Sequence, residues 1–443
     1  MTGPNPADLA STARRLREAR TDLLARTALE LAEVVGAVGE RFLAAGDPLR
    51  DEALALIPGE AGLSPAMARR VLDGMALDWT RPRLELLLRS EFTDPAVLDG
   101  FVAIPPTPVE AGAPGHFRLV RALGDGLALH VGAGSVPGVC ATSLARSLLV
   151  KTPVLVKPGA GDRALTELFL RGLREADPAV AGAAAVEYWP GGDAGLEKAA
   201  VALADRLVVY GSDGACRSIR DRVPVHVPVV LYHHRNSVAV VGPDATRDPA
   251  LPDTAAALAF AASTFDQRGC VSPHRVWVLG SRQDAERLAE ATAGAMAREA
   301  AQAPPGPRSE AEAARLQQLR GSAEIRQAAG GGVRLWSDAG TAWTVILEEG
   351  GGVETAGTPR TLVVTWVPAV EELASALAGE GLHLQSVGLA ELGSAEGEVV
   401  ETLARMGATR LAPLADIPFP PAWWLHDGQG PLRALVRWAE WTR

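Results

Sequence analysis

Thr264-Phe265-Asp266-Gln267-Arg268-Gly269-Cys270-Val271-Ser272-Pro273-His274 is the stretch on which the reading of this chain turns. The alanine-rich apolar run 255–262 leads into it and reads as helix. Arg275-Val276-Trp277-Val278-Leu279 leaves it and reads as strand. Cys270 therefore falls on a short connection between a helix and a strand, where rigid elements hold functional side chains in place. A cysteine becomes a nucleophile as its thiolate, a state that a nearby cation or helix N-terminus favours. Arg268 is a candidate for that cation. The competing reading is a small buried core thiol, and the stretch by itself leaves the two open.

Composition narrows the field. The 443 residues suffice for two or three domains and a large core. A formal charge of −10 argues against nucleic acid as a partner. Apolar runs are short and interrupted, so no membrane span is expected. The start, Met1-Thr2-Gly3-Pro4-Asn5, lacks the basic and apolar regions of a secretory leader. Three scattered cysteines, Cys140, Cys216 and Cys270, form no disulfide framework, so a cytoplasmic location is expected. No metal site is expected: the chain has the pair His233-His234 but no HExxH or Cys/His cluster.

Upstream of the central stretch, residues 7–45 read as helix, followed by helical pieces over Pro65–Leu77 and 83–90. Pro105-Pro106-Thr107-Pro108 with Gly112, Pro114 and Gly115 marks an irregular connector. Strands and helices then alternate: strands at 127–131, 154–156, 185–189 and 207–210, helices at 138–150, 164–174, 194–203 and 213–220. Repeated β-α-β units build a parallel sheet with helices on both faces, with ligands bound at the carboxyl ends of the strands. The stretch from His130 to Gly138 is glycine-rich without the spacing of the usual dinucleotide fingerprint. Lys157 closes a strand and can reach an adenosine ribose or phosphate as a point charge, or be an ordinary solvated lysine. Gly211 and Ser212 open a helix whose N-terminus suits pyrophosphate, or Ser212 is a plain N-cap. Downstream of Cys270 a second α/β unit follows, with helices at 284–302, 309–321, 370–378 and 396–406 and strands at 333–336, 342–347, 361–367 and 382–389.

Phe265-x-Gln267-x-x-Cys270, followed by Arg275 and Val278, resembles the nucleophile segment of the aldehyde dehydrogenase superfamily. The longer Phe-Asp-Gln-x-x-Cys-x-Ser-Pro run is similar to the long-chain acyl-CoA reductases of bioluminescence operons. Further segments share that resemblance: Trp79-Thr80-x-Pro82, Phe92-x-x-Pro95, His426-Asp427-Gly428 and Leu435-Val436-Arg437-Trp438. It is patchy and runs from about Trp79 to the end. It implies an α/β, aldehyde-dehydrogenase-like fold with two α/β domains, one a Rossmann-like cofactor domain and one catalytic. The expected division is a helical N-terminal part over 1–104, an NADPH-binding domain with connector over 105–242, a catalytic domain carrying Cys270 over 243–420, and a C-terminal segment over 421–443. The connector near 105–122 and the C-terminus would form a small assembly element.

The resemblance also implies roles. Cys270 would attack an acyl-CoA or acyl carrier protein thioester, and NADPH would reduce the acyl-enzyme to a fatty aldehyde. Lys157 matches the lysine that contacts the adenosine ribose. The glutamate that would repel a 2′-phosphate is replaced by Ala160, leaving room for NADPH with Arg163 as an extra contact and NADH as the alternative. Gly211 and Ser212 match a pyrophosphate-binding Gly-Ser. Ser135, in Gly134-Ser135-Val136-Pro137, stands where the family has an oxyanion-hole asparagine. Loss of one such donor costs roughly 10²–10³ in rate. Tyr232 stands where hydrolytic members carry a water-activating glutamate, which disfavours the alternative of aldehyde oxidation to acid. Ser135 keeps a second alternative open, a non-catalytic or acyl-transfer partner protein. A homo-oligomer is expected from the superfamily.

Overall fold

Side-chain caps decide how the N-terminal region begins. The Asn5 side chain accepts hydrogen bonds from the Ala7 and Asp8 N–H groups, the Asp8 carboxylate accepts one from Asn5 N–H, and α1 (Pro6–Leu24) starts. Thr27 and Glu30 repeat the arrangement and start α2 (Ala28–Leu43). The run expected as one helix is thus two, because this second box satisfies the free N–H groups of a new helix start. α3 (Pro48–Ala61), α4 (Pro65–Leu77) and α5 (Arg81–Glu91) follow, each with proline in its first turn. The computed structural model describes residues 3–104, 118–350, 355, 357–379 and 383–442. The proline-rich connector expected after Pro105 lies outside these residues up to 117.

α2 crosses the α4–α5 turn closely: a β-carbon on Gly39 would lie 2.4 Å from the Trp79 carbonyl oxygen. That approach lets Phe42, Trp79 and Phe169 pack edge to face, with centroids 5.7 Å and 5.1 Å apart about Trp79. Trp79 Nε1 donates to Thr142 Oγ1 at 2.8 Å. The N-terminal helices therefore share one core with the first α/β unit.

After β1 (Val102–Ile104) and β2 (Arg118–Leu123), that unit runs β3 (Ala128–Val131), α6 (Val139–Leu149), β4 (Val154–Lys157), α7 (Arg163–Ala176), α8 (Pro178–Gly182), β5 (Ala184–Val186), α9 (Ala194–Leu203), β6 (Arg206–Tyr210), α10 (Asp213–Arg220) and β7 (Val229–Tyr232). The five strands are parallel in the order β5-β4-β3-β6-β7. The connections change direction between β3 and β6, where a crevice opens at the carboxyl ends of the strands.

The second unit comprises β8 (Asn236–Val241), α11 (Leu251–Ser263), β9 (Pro273–Leu279), α12 (Arg282–Gln302), α13 (Glu310–Ala328), β10 (Arg334–Ser337), β11 (Thr344–Leu347), β12 (Thr361–Val367), α14 (Val370–Gly379), β13 (Leu384–Ala390), α15 (Glu396–Arg405) and β14 (Arg410–Pro413). Its sheet has the order β10-β11-β12-β9-β8-β13-β14 and is parallel except where β10 meets β11. Alternate side chains of β8 and β9 bury against two separate cores: Ala239, Val241, Val276 and Val278 on one face, Val238, Val240 and Trp277 on the other. β15 (Arg437–Thr442) returns to pair with β2, giving a three-stranded antiparallel sheet β1-β2-β15. Among the described residues no helix is long and apolar enough to cross a membrane, and no three His, Cys, Asp or Glu residues are grouped to hold a metal.

Candidate active site

The turn that carries Cys270 is strained and clamped. Phe265, Asp266 and Gln267 have φ of 59°, 50° and 61°, three successive non-glycine residues in left-handed conformation. Each costs about 1–3 kcal/mol and persists only where surroundings enforce it. Here they do. The Asp266 carboxylate accepts from Arg360 Nε at 2.8 Å and from Gly306 N–H at 3.0 Å. The fully buried Arg360 also donates to the Ala303 carbonyl. The Gln267 amide donates to the Pro273 and Thr361 carbonyls and accepts from Thr361 N–H, all within 2.8 Å. Arg268, expected as a candidate cation for the thiolate, instead donates to the Ala61 carbonyl at 2.8 Å and faces Glu312. Its reach is spent on α3, so it does not activate the thiol.

Cys270 is reachable from solvent, while its sulfur is otherwise surrounded by protein. Burial pushes the thiol up to about 12, and the Asp427 carboxylate adds to the shift. The N–H groups of Cys270 and Val271 and the Gln385 amide pull the other way. The enclosed side sets the direction, so the resting group is a thiol. Its carbonyl is fixed by Ser237 Oγ at 2.6 Å. His426 Nε2 lies 3.9 Å from Cys270 Sγ. The imidazole is stacked between Tyr232, 4.2 Å away, and Trp424, 4.4 Å away, and Tyr210 extends the stack. Burial lowers its pKa to about 3, helped by Arg146 and Arg235. Asp427, with φ of 52°, lies 3.8 Å from His426 Nε2 and 3.4 Å from Arg235 Nε. Burial raises its carboxyl to about 6.

Tyr232, at the end of β7, is buried and its phenol is pushed up by burial and by Tyr210. It holds His426 by ring contact. The pair His233-His234 serves α10 instead: His234 N–H donates to the Asp213 carboxylate at 3.1 Å, and His233 Nδ1 lies 3.4 Å from it.

The remaining residues named from sequence cluster at the carboxyl ends of the first sheet. Ser135 is exposed on the β3–α6 loop. There Gly134 meets Gly159 and Gly161 backbone to backbone, and a β-carbon on Gly159 would lie 2.2 Å from Gly134 N. The N-terminus of α6 is already occupied: the buried Asp162 carboxylate accepts from Gly138 N–H at 2.5 Å and Cys140 N–H at 2.7 Å. Among the described residues, the N-terminus of α10, opened by Gly211 and Ser212, carries only the Ser212 cap on Ala215 N–H. Its Asp213 is turned toward His234. Lys157 Nζ and Arg163 Cζ both approach the Tyr188 ring, at 5.9 Å and 5.3 Å, and Arg163 also pairs with Glu167 at 2.7 Å. Tyr188 was not anticipated; the available signal is an aromatic residue two positions beyond β5. Gln385 and Arg360 carried no signal either, while His426-Asp427 was visible as a motif without a role.

A chain of this fold with a clamped Cys270 invites comparison with known proteins. The family model described as acyl-CoA reductase (LuxC) matches residues 28–438. The chain belongs to the LuxC acyl-CoA reductase family. Long-chain acyl-protein thioester reductase 2 of Photobacterium leiognathi is 25% identical over 170 residues, 37% of this chain and 34% of that protein. The long-chain acyl-protein thioester reductase of Aliivibrio fischeri is 27% identical over 166 residues, 36% of this chain and 33% of that protein. The matched segment thus spans about a third of these LuxC relatives' length. Among solved structures, NADP-dependent glyceraldehyde-3-phosphate dehydrogenase from Bacillus halodurans, complexed with NADP, superposes with a TM-score of 0.76 at 16% identity. That match covers all of this chain and 92% of the other. An NAD-dependent benzaldehyde dehydrogenase from Corynebacterium glutamicum gives 0.75 at 15% identity, covering all of this chain and 91% of the other. The aldehyde-dehydrogenase-like fold expected from the Cys270 segment is the observed one.

Proposed function

We propose that this chain reduces an acyl thioester to an aldehyde through an acyl-Cys270 intermediate, with NADPH as the reductant. The observation that carries the reading is a solvent-reachable thiol 3.9 Å from a neutral, ring-stacked imidazole, in a chain of the LuxC family. His426 Nε2 takes the proton as Cys270 Sγ attacks the acyl carbonyl carbon. The bond to the carrier thiol breaks, and His426 returns the proton to the departing sulfur. The bound cofactor supplies the hydride that reduces the acyl-Cys270 carbonyl. The tetrahedral oxyanion then expels Cys270, aldehyde leaves, and the thiolate takes a proton from solvent. One thioester, one hydride and one proton give one aldehyde and one thiol. Tyr232 offers no base for activating water, so the acyl-enzyme is kept for reduction.

For the cofactor, Lys157 and Arg163, both over the Tyr188 ring, would hold the adenosine end and its 2′-phosphate, with no carboxylate at Ala160 to repel it. Gly211 and Ser212 at the N-terminus of α10 would take the pyrophosphate, since Asp162 fills that role on α6. The acyl group would arrive on coenzyme A or on a protein thiol, the latter named in the relatives' descriptions. The three free cysteines suit a reducing cytoplasm. The exposed Trp438 and Trp441 on β15 suit pairing with a second copy. The test is NADPH oxidation across a series of acyl-CoAs, wild type beside Cys270→Ala. Turnover lost in the variant supports the reading. Wild-type turnover retained by Cys270→Ala overturns it.

A further inference from the structure

We propose that the side-chain amide of Gln385, rather than Ser135, is the oxyanion donor that works with the Cys270 N–H. This rests on the acyl-Cys270 reading above and names the group that holds the negative charge developing on the acyl oxygen.

Gln385 is the second residue of β13 and is fully buried. Its backbone is held, since its carbonyl accepts from Thr409 N–H and Thr409 Oγ1. Its side chain is not: neither Nε2 nor Oε1 has a hydrogen-bond partner among the described residues. An amide carries two donor hydrogens and an acceptor, and burying them unpaired costs stability that a folded chain ordinarily avoids. The strand that carries it is irregular at this point. The register of β13 against β8 shifts between Leu384 and Val387, and that of β8 against β9 shifts between Ser237 and Val238. Such bulges redirect side chains and collect beside active sites. At these two shifts, Ser386 N–H donates to Ser237 Oγ at 3.2 Å, and Ser237 Oγ donates to the Cys270 carbonyl at 2.6 Å. Gln385 is thus one residue from a two-bond link to the nucleophile. Its amide comes near enough to Cys270 to oppose the upward pull of burial on the thiol, without closing a hydrogen bond to the sulfur. An amide so placed can meet the oxygen on the carbon that the sulfur attacks. Ser135, by contrast, is exposed on a loop of the other domain's sheet and has a side chain one atom long beyond Cβ.

In the acylation step the Cys270 sulfur bonds to the thioester carbonyl carbon and the π pair moves onto oxygen. Gln385 Nε2–H and Cys270 N–H donate to that oxygen, and the pair returns as the carrier thiolate leaves. The same donors serve again when hydride adds. A donor unpaired in the resting site and paired in the oxyanion stabilises the transition state more than the ground state, which is what catalysis requires.

The test compares wild type, Gln385→Met and Gln385→Glu in the full chain, following acyl-Cys270 formation by mass and turnover by NADPH oxidation. Gln385→Met is expected to lower kcat about 10²–10³-fold with KM nearly unchanged. Its Tm should hold or rise, because a buried unpaired amide has gone. Gln385→Glu should be slow at neutral pH and recover as pH falls and the carboxyl becomes a donor, a signature a merely structural residue lacks. Acylation and turnover by Gln385→Met within threefold of wild type overturn the inference and leave the Cys270 reading intact. Should Gln385→Met fail to fold, a flat pH profile in Gln385→Glu overturns it instead. Failure of wild type itself to form acyl-Cys270 overturns both.

Discussion

His426 lies 3.9 Å from the Cys270 sulfur, with its neutral ring held between two aromatic faces, so its value differs from step to step. At rest it is an uncharged neighbour of an uncharged thiol. During acyl transfer it carries one proton against burial and the charges of Arg146 and Arg235, with the faces of Tyr232 and Trp424 offsetting part of that cost. His426→Phe keeps the stack and removes the proton carrier. Acylation by coenzyme A thioesters, whose leaving thiol needs a proton, should then fall about 10²–10⁴-fold. Acylation by aryl thioesters, whose thiolate leaves unaided, loses only the base that takes the Cys270 proton and should fall less. Stopped-flow acylation with both substrates reads the difference, and equal losses would contradict the return of the proton to the leaving thiol. At this scale Cys270 was legible because its turn sits between recognisable elements. The Cys270–His426 contact was not, because 156 residues separate the two and local patterning says nothing of such meetings. Gln385 reads as an ordinary polar residue in an apolar strand until burial shows its amide unpaired.

The nucleophile turn depends on elements distant in sequence. Asp266 and Arg360 form a buried ion pair with Arg360 Nη2 to Asp266 Oδ1 at 2.6 Å, and it holds the left-handed turn against β12. Removing one partner strands the other charge. Arg360→Met should cost about 3–5 kcal/mol, read as a lower urea midpoint, together with slower acylation. The double variant Asp266→Asn/Arg360→Met should recover part of the loss, since no unpaired charge remains. An Arg360→Met midpoint equal to wild type would show that the pair does not hold the turn. The β-α alternation of the first sheet was legible because buried parallel strands read as apolar runs and their helices as 3.6-residue patterns. The break at Thr27 is not legible in the sequence because the apolar pattern continues across a cap. Neither is β15, which is mostly exposed and finds its partner, β2, more than 300 residues away.

Across the whole molecule two sets of buried groups oppose each other in acid. Burial raises Asp162 to about 7 and Asp78 and Asp427 to about 6. Their contribution to stability is complete below the unfolded value of 3.8 and is lost as pH rises through 6–7. Burial lowers His130 and His426 to about 3 and His274 to about 4. Their contribution is present above the unfolded value of 6.5 and is lost as pH falls. Each proton tilts stability by about 1.4 kcal/mol per pH unit, so these two sets oppose each other between pH 6 and 4.5, and Glu60 and Glu187, also raised by burial, add to the first. Asp162→Asn removes one acid-stabilising group, so its Tm relative to wild type should fall as pH drops over that range; a rise relative to wild type would contradict the assignment. The central claim, that catalysis passes through an acyl group on Cys270, is tested most directly by intact-protein mass spectrometry after incubation with a long-chain acyl-CoA in the absence of NADPH. The account predicts one added acyl mass, mapped to Cys270 and discharged as aldehyde when NADPH is supplied. An unmodified protein, or an acyl group on a residue other than Cys270, would contradict it.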